Sequence, residues 1–208
     1  MCNMRLSEHC SHTMRNQTPW NMVSEYYRFV SRGIRTLSAV NVDHFHSTRH
    51  YQFSAEVFHQ FLKTNLVPRV ISGGGIGVEA HLEEWKTISA IYPDFDMKIV
   101  RMEEGPSGEV VVTSKTVLVF SESTFRNAFP HVISNDYMYP IVDKLLGQAL
   151  EIDTVARFTW DDLVKRVADI KFQADMMSPL LSVLGSLDDV AGLFRSALVT
   201  TEGQILVV

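Results

Sequence analysis

Asp175 is the carboxylate in this chain best set up to serve as an acid or base. It closes a β-rich stretch and stands between Ala174 and Met176-Met177. Apolar surroundings disfavour the charged form and raise a carboxyl pKa toward neutrality, where proton transfer is useful. A local role competes with this one, in which the same carboxylate caps the helical turn that follows. Asp94, Asp96, Asp153, Asp161, Asp162 and Asp169 fall mostly at strand ends or turns, where a carboxylate is simply solvated. Tyr26, Tyr27, Trp85, Phe95, Phe158 and Trp160 are rings that could line a pocket, and core packing accounts for any one of them as well. We take Tyr27, Trp85, Phe95 and Phe158 as the ligand-binding candidates.

Three other chemistries are set aside. Gly73-Gly74-Gly75-Ile76-Gly77 lacks the Lys-Ser/Thr ending of a phosphate loop and the spacing of a dinucleotide fingerprint. Glu79, Glu83 and Glu84 follow it, where they would repel an anion, so the run reads as a flexible turn into a helix. Cys2, His9, Cys10 and His12, and Asp43, His44, His46 and His50, are metal-capable types without the paired two-to-five spacing of a structural zinc site. No Gly-x-Ser-x-Gly elbow occurs. We therefore expect no metal and no cofactor.

The elements that must position these groups are legible by period. Thr18-Pro19 has the form of a helix start, with Val23, Tyr27, Val30 and Ile34 on one face. A second helix opens at Ser54 and is stopped by Pro68, with Arg69–Ser72 extended behind it. A third runs from about Val78 to Ile91. Strands are predicted at Phe95–Met102, Glu109–Phe120, Ala149–Trp160 and Leu163–Ala174. The last should alternate, with Arg166, Ala168, Ile170, Phe172 and Ala174 on one side. Residues 121–147 read as polar turns with one short helix near Tyr139–Leu146, and Ser186-Leu187-Asp188-Asp189 as a cap. The apolar end, Gly203–Val208, can pair as an edge strand or pack elsewhere. Helices first and antiparallel strands afterwards make an α+β order, and without βαβ alternation a doubly wound fold is disfavoured.

Composition narrows the class further. The 208 residues are 46% hydrophobic and 21% charged, a profile for one globular core. Residues 1–17 read as a flexible leader and 18–208 as a single α+β domain. The unbroken apolar runs have four members, as at Val117–Phe120, against the roughly 20 needed to span a membrane. The start lacks a secretory signal, and two cysteines near it give no disulfide framework. We expect an intracellular protein, cytoplasmic or nuclear, without a membrane partner. Residues 1–50 carry a balance of +3 and residues 51–208 one of −8, so the body should repel phosphate backbones and make no direct nucleic-acid contact. Arg28, Arg32 and Arg35 have helical spacing, which for so few charges reads as a solvated face.

Two resemblances follow from particular residues. Tyr92-Pro93-Asp94-Phe95 leading into a strand resembles a junction of the SnoaL-like branch of the nuclear transport factor 2-like superfamily. Asp175 followed by Pro179-Leu180-Leu181 and Val183-Leu184-Gly185 is similar to that branch's final segment. The resemblance spans about residues 20–185. It implies a cone-shaped roll, a curved antiparallel sheet wrapped around N-terminal helices with a pocket between them. It also implies an acid/base role for Asp175, which matches the cyclase position, although the His that cyclases carry on the preceding strand is missing from Asp153–Phe158. Trp20–Phe29 is similar to the domain appended to oomycete bZIP-type transcription-factor-like proteins. The expected function is therefore a non-catalytic small-molecule-binding or protein-interaction module, homodimeric through the outer sheet face. The alternative is a SnoaL-like isomerase, cyclase or dehydratase of an apolar cyclic substrate that uses Asp175.

Overall fold

The computed structural model describes residues 18–31 and 55–206. The leader, the Cys2/His9/Cys10/His12 and Asp43/His44/His46/His50 groups, Arg32, Ile34 and Arg35, and the last two residues of the apolar end lie outside that range.

Helix α1 (Pro19–Val30) starts as its sequence demands: Thr18 Oγ1 accepts the Asn21 N–H at 3.2 Å, and Pro19 occupies a position that needs no donor. It buries Met22, Val23, Tyr26, Tyr27, Phe29 and Val30, a face broad enough to meet both a sheet and other helices. Helix α2 (Ala55–Asn65) ends before Pro68, at Asn65, whose amide donates to the Phe61 carbonyl at 2.8 Å. The proline instead belongs to strand β1 (Leu66–Ser72), in the register shift between Leu66 and Ile71 where a missing N–H costs no ladder bond. Gly73-Gly74 then turns β1 into β2 (Gly75–Ile76), with Ser72 opposite Gly75. Helix α3 (Val78–Ile91) follows directly.

Strands β3 (Phe95–Glu104), β4 (Val110–Val119), β5 (Ala149–Asp161) and β6 (Arg166–Ala174) pair successively and antiparallel. The sheet order is β2-β1-β6-β5-β4-β3. The expected all-antiparallel sheet needs one correction, since β1 runs parallel to β6 and the sheet is mixed. That pairing joins the first strand to the last, a contact that no local hairpin signal can announce. The alternation predicted for β6 also needs correction. Thr159 pairs with Asp169 but Trp160 pairs with Val167, so Ala168 is an extra residue that brings Val167 and Ile170 onto the same buried side.

Residues 121–147 are more helical than expected. Ser121 and Thr124 form a reciprocal capping box that starts α4 (Glu122–Ala128). α5 (Pro130–Ile133), a turn of 3-10 helix and α6 (Tyr139–Leu145) follow. Phe120, Phe125 and Phe129 pack ring against ring inside this segment, so it builds core rather than interrupting it. Helices α7 (Met177–Leu184) and α8 (Leu187–Phe194) complete it, the latter capped by Ser186 as its sequence indicates. Beyond α8 the chain returns to the sheet: Val199 bridges Ile205, and the Ala174 N–H donates to the Glu202 carbonyl at 2.9 Å.

The result is an α+β fold with the N-terminal helices packed on an open, mixed sheet. Among the described residues no helix is long and apolar enough to cross a membrane.

Candidate functional site

A cavity of about 410 Å³ lies between α1, α3 and the β5–β6 pair, within the roughly 300–1,000 Å³ range of small-molecule pockets. Its apolar wall comes from Tyr26, Tyr27 and Val30 on α1, Trp85 and Ile88 on α3, Met97 on β3, and Ala156, Phe158, Ile170 and Phe172 on the sheet. Ala156 pairs with Phe172 and Phe158 with Ile170, so these four share the inner face by strand alternation. Gly203 and Gln204 border the cavity from the returning C-terminal segment.

One connected chain of polar groups runs along this wall. The Trp85 indole N–H donates to Tyr26 Oη at 2.7 Å. Tyr26 Oη stands 2.9 Å from His81 Nε2, and His81 Nδ1 stands 3.1 Å from Glu84 Oε2. The Ser72 hydroxyl donates to the same carboxylate oxygen at 3.4 Å. Donor counting sets the protons. Tyr26 Oη already receives the indole N–H, so we assign its own proton to His81 Nε2, an assignment that places the His81 proton on Nδ1, facing Glu84. Burial pushes the Tyr26 phenol well above its ordinary value, partly offset by the indole hydrogen bond and reinforced by the Glu84 charge. Burial likewise raises Tyr27 to about 12, with the Ser114 hydroxyl working in the opposite direction. Tyr26 packs edge-on against Phe158, with ring centroids 5.2 Å apart, which fixes the phenol in place.

Helical spacing explains how four such groups meet. His81 and Glu84 are three residues apart on α3 and Trp85 lies four beyond His81, so all project from adjacent turns toward α1. The glycine turn completes the enclosure. A Cβ on Gly74 would lie 2.7 Å from the Ala80 carbonyl oxygen, and one on Gly73 would meet Glu84 Oε1. The run is thus a close-packed hairpin turn over the start of α3.

Of the ligand-binding candidates, Tyr27, Trp85 and Phe158 are on the lining. Phe95 stands behind it, stacked on Trp85 at 6.2 Å. Asp175 is away from the cavity. Its exposed carboxylate accepts the Ser178 N–H at 3.0 Å in the first turn of α7, and the Ser178 hydroxyl and amide hold its pKa below the ordinary carboxylate value. Sequence reasoning missed His81 and Glu84. The available signal was a histidine falling between Val78 and Trp85 on an otherwise apolar helical stripe. Among the described residues no group of three His, Cys, Asp or Glu side chains is arranged to hold a metal ion.

Residues 20–91 match the family model of the BZIP transcription factor 1 C-terminal domain, a stretch that contains Tyr26, His81, Glu84 and Trp85. No curated protein matches the sequence. Similar solved structures include a candidate SnoaL-like polyketide cyclase from Jannaschia sp. CCS1, 13% identical over 83% of this chain and 99% of the other, TM-score 0.46. IdmH, a candidate polyketide cyclase from Streptomyces antibioticus, is 12% identical over 82% of this chain and 100% of its own, TM-score 0.49. A candidate polyketide cyclase from Acidithiobacillus ferrooxidans is 13% identical over 81% and 96%, TM-score 0.48. The likeness is distant, and no activity is taken from it.

Proposed function

We propose that this chain binds a small, largely apolar molecule in the cavity between α1, α3 and the β5–β6 pair. The observation that supports this most is the Trp85–Tyr26–His81–Glu84 chain along an otherwise apolar wall, because a few convergent polar groups in an apolar cleft orient a ligand. Native mass spectrometry of protein purified without added ligand tests the reading. A reproducible additional mass of a few hundred daltons is expected, and its absence together with no uptake of apolar probes would overturn it.

The Glu84–His81–Tyr26 series favours a second reading. A carboxylate that orients a histidine, which in turn polarises a hydroxyl, is an arrangement able to move a proton. On this reading the chain is an isomerase, cyclase or dehydratase of an apolar cyclic substrate, with His81 and Tyr26 handling the proton. Asp175, the acid/base expected from the resemblance, keeps its contact with α7. Deuterium exchange at the α-carbon of a cyclic ketone, followed by NMR, should then be lost in His81→Asn and retained in Asp175→Asn; the opposite pattern would return the role to Asp175.

The finer features belong to the same proposal. The protein is taken to be a homodimer through the outer sheet face and to be intracellular. Its acidic body supports a domain that does not itself contact nucleic acid.

A further inference from the structure

We infer that the cavity selects a ligand carrying a protonated amine on an apolar body, with Glu84 as the counter-charge. This rests on the cavity being a ligand site and adds the chemical class. The Glu84 side chain is only 13% exposed, and among the described residues its one ion-pair partner is the ring of His81, itself 3% exposed. The proton assignment above takes that ring as neutral, with its Nε2 accepting from Tyr26. Glu84 is therefore a largely buried carboxylate whose charge meets two neutral donors, His81 Nδ1–H and the Ser72 hydroxyl, both on Oε2.

Burying such a charge is costly unless a cation joins it. The two basic residues on the lining do not supply one. Strand alternation puts Arg157 and Lys171 on the outer face of the sheet, where they pair with Glu109 at 3.3 Å and with Asp169 at 3.8 Å. The remaining wall suits a cation, since Tyr26, Trp85 and Phe158 are on it and the π-faces of such rings attract positive charge that has left water. Glu84 Oε1 faces the glycine turn and has acceptor capacity for an ammonium N–H.

The test uses three probes with one apolar body, naphthylmethylamine, naphthylmethanol and naphthoate, titrated into the full chain by calorimetry. The Trp85 indole N–H resonance reports the location. The amine should bind about tenfold tighter than the alcohol, the difference between a charge-assisted and a neutral hydrogen bond, and naphthoate should bind weakest. In Glu84→Gln the amine's advantage over the alcohol should vanish. Alcohol binding without an amine advantage in the unmodified protein overturns this inference and leaves the cavity reading standing. Failure of all three probes overturns both. The comparison in the unmodified protein decides the matter even if Glu84→Gln does not fold.

Discussion

At the residue scale, Tyr26 is the hinge of the site, because one oxygen accepts from Trp85 and is hydrogen-bonded to His81. Tyr26→Phe removes the oxygen but leaves both partners buried. The cost should be about 1–3 kcal/mol, the penalty of unsatisfied buried groups, measured by urea unfolding. A stability unchanged within error would show that water reaches the network. Tyr27 carries a pH signature. Its phenol is raised from 10.0 to about 12 by burial, so the folded state holds this proton longer than the unfolded chain does. The stabilisation is complete below pH 10, declines from there, and is gone above about 12. Tyr27→Phe should flatten that part of the stability profile, and an unaltered slope between those limits would refute the assignment.

At the element scale, most starts and stops obey local rules. Thr18 and Pro19 start α1, the Ser121–Thr124 box starts α4, and Ser186 caps α8. Thr124 also reaches outside its helix, its hydroxyl donating to the Ile91 carbonyl at 2.9 Å and tying α4 to the end of α3. Asp175 belongs to this scale as well. Asp175→Ala should cost about 1 kcal/mol, as loss of a helix-terminal acceptor does, with ligand affinity unchanged. Its folded pKa lies below 3.8, so the stabilisation is present above that value and disappears as pH falls through the lower folded value. A loss of ligand affinity larger than the loss of stability would instead give Asp175 a part in the site. Where local reading failed, a longer-range demand had prevailed. The last strand reads as an even alternation, yet its register against β5 shifts at Ala168.

At the scale of the whole molecule, the outer sheet face carries Lys115, Glu151 and Asp153, an exposed cross-strand cluster. The homodimer proposed for this face would therefore have a charged element, and the dimer mass expected in native spectra should weaken as salt rises. A monomer at low salt would remove that part of the proposal. The sequence by itself determined the α+β class, the three N-terminal helices, four antiparallel strands and the aromatic character of the pocket wall. Periodicity, caps and turn residues act over a few neighbours, and a single chain displays them directly. Only the tertiary structure decided the parallel β1–β6 pair, the bulge at Ala168 and the meeting of Ser72, Glu84, His81, Tyr26 and Trp85. Those contacts join residues up to about a hundred positions apart, and which of many polar side chains share a buried site depends on packing that local spacing does not encode.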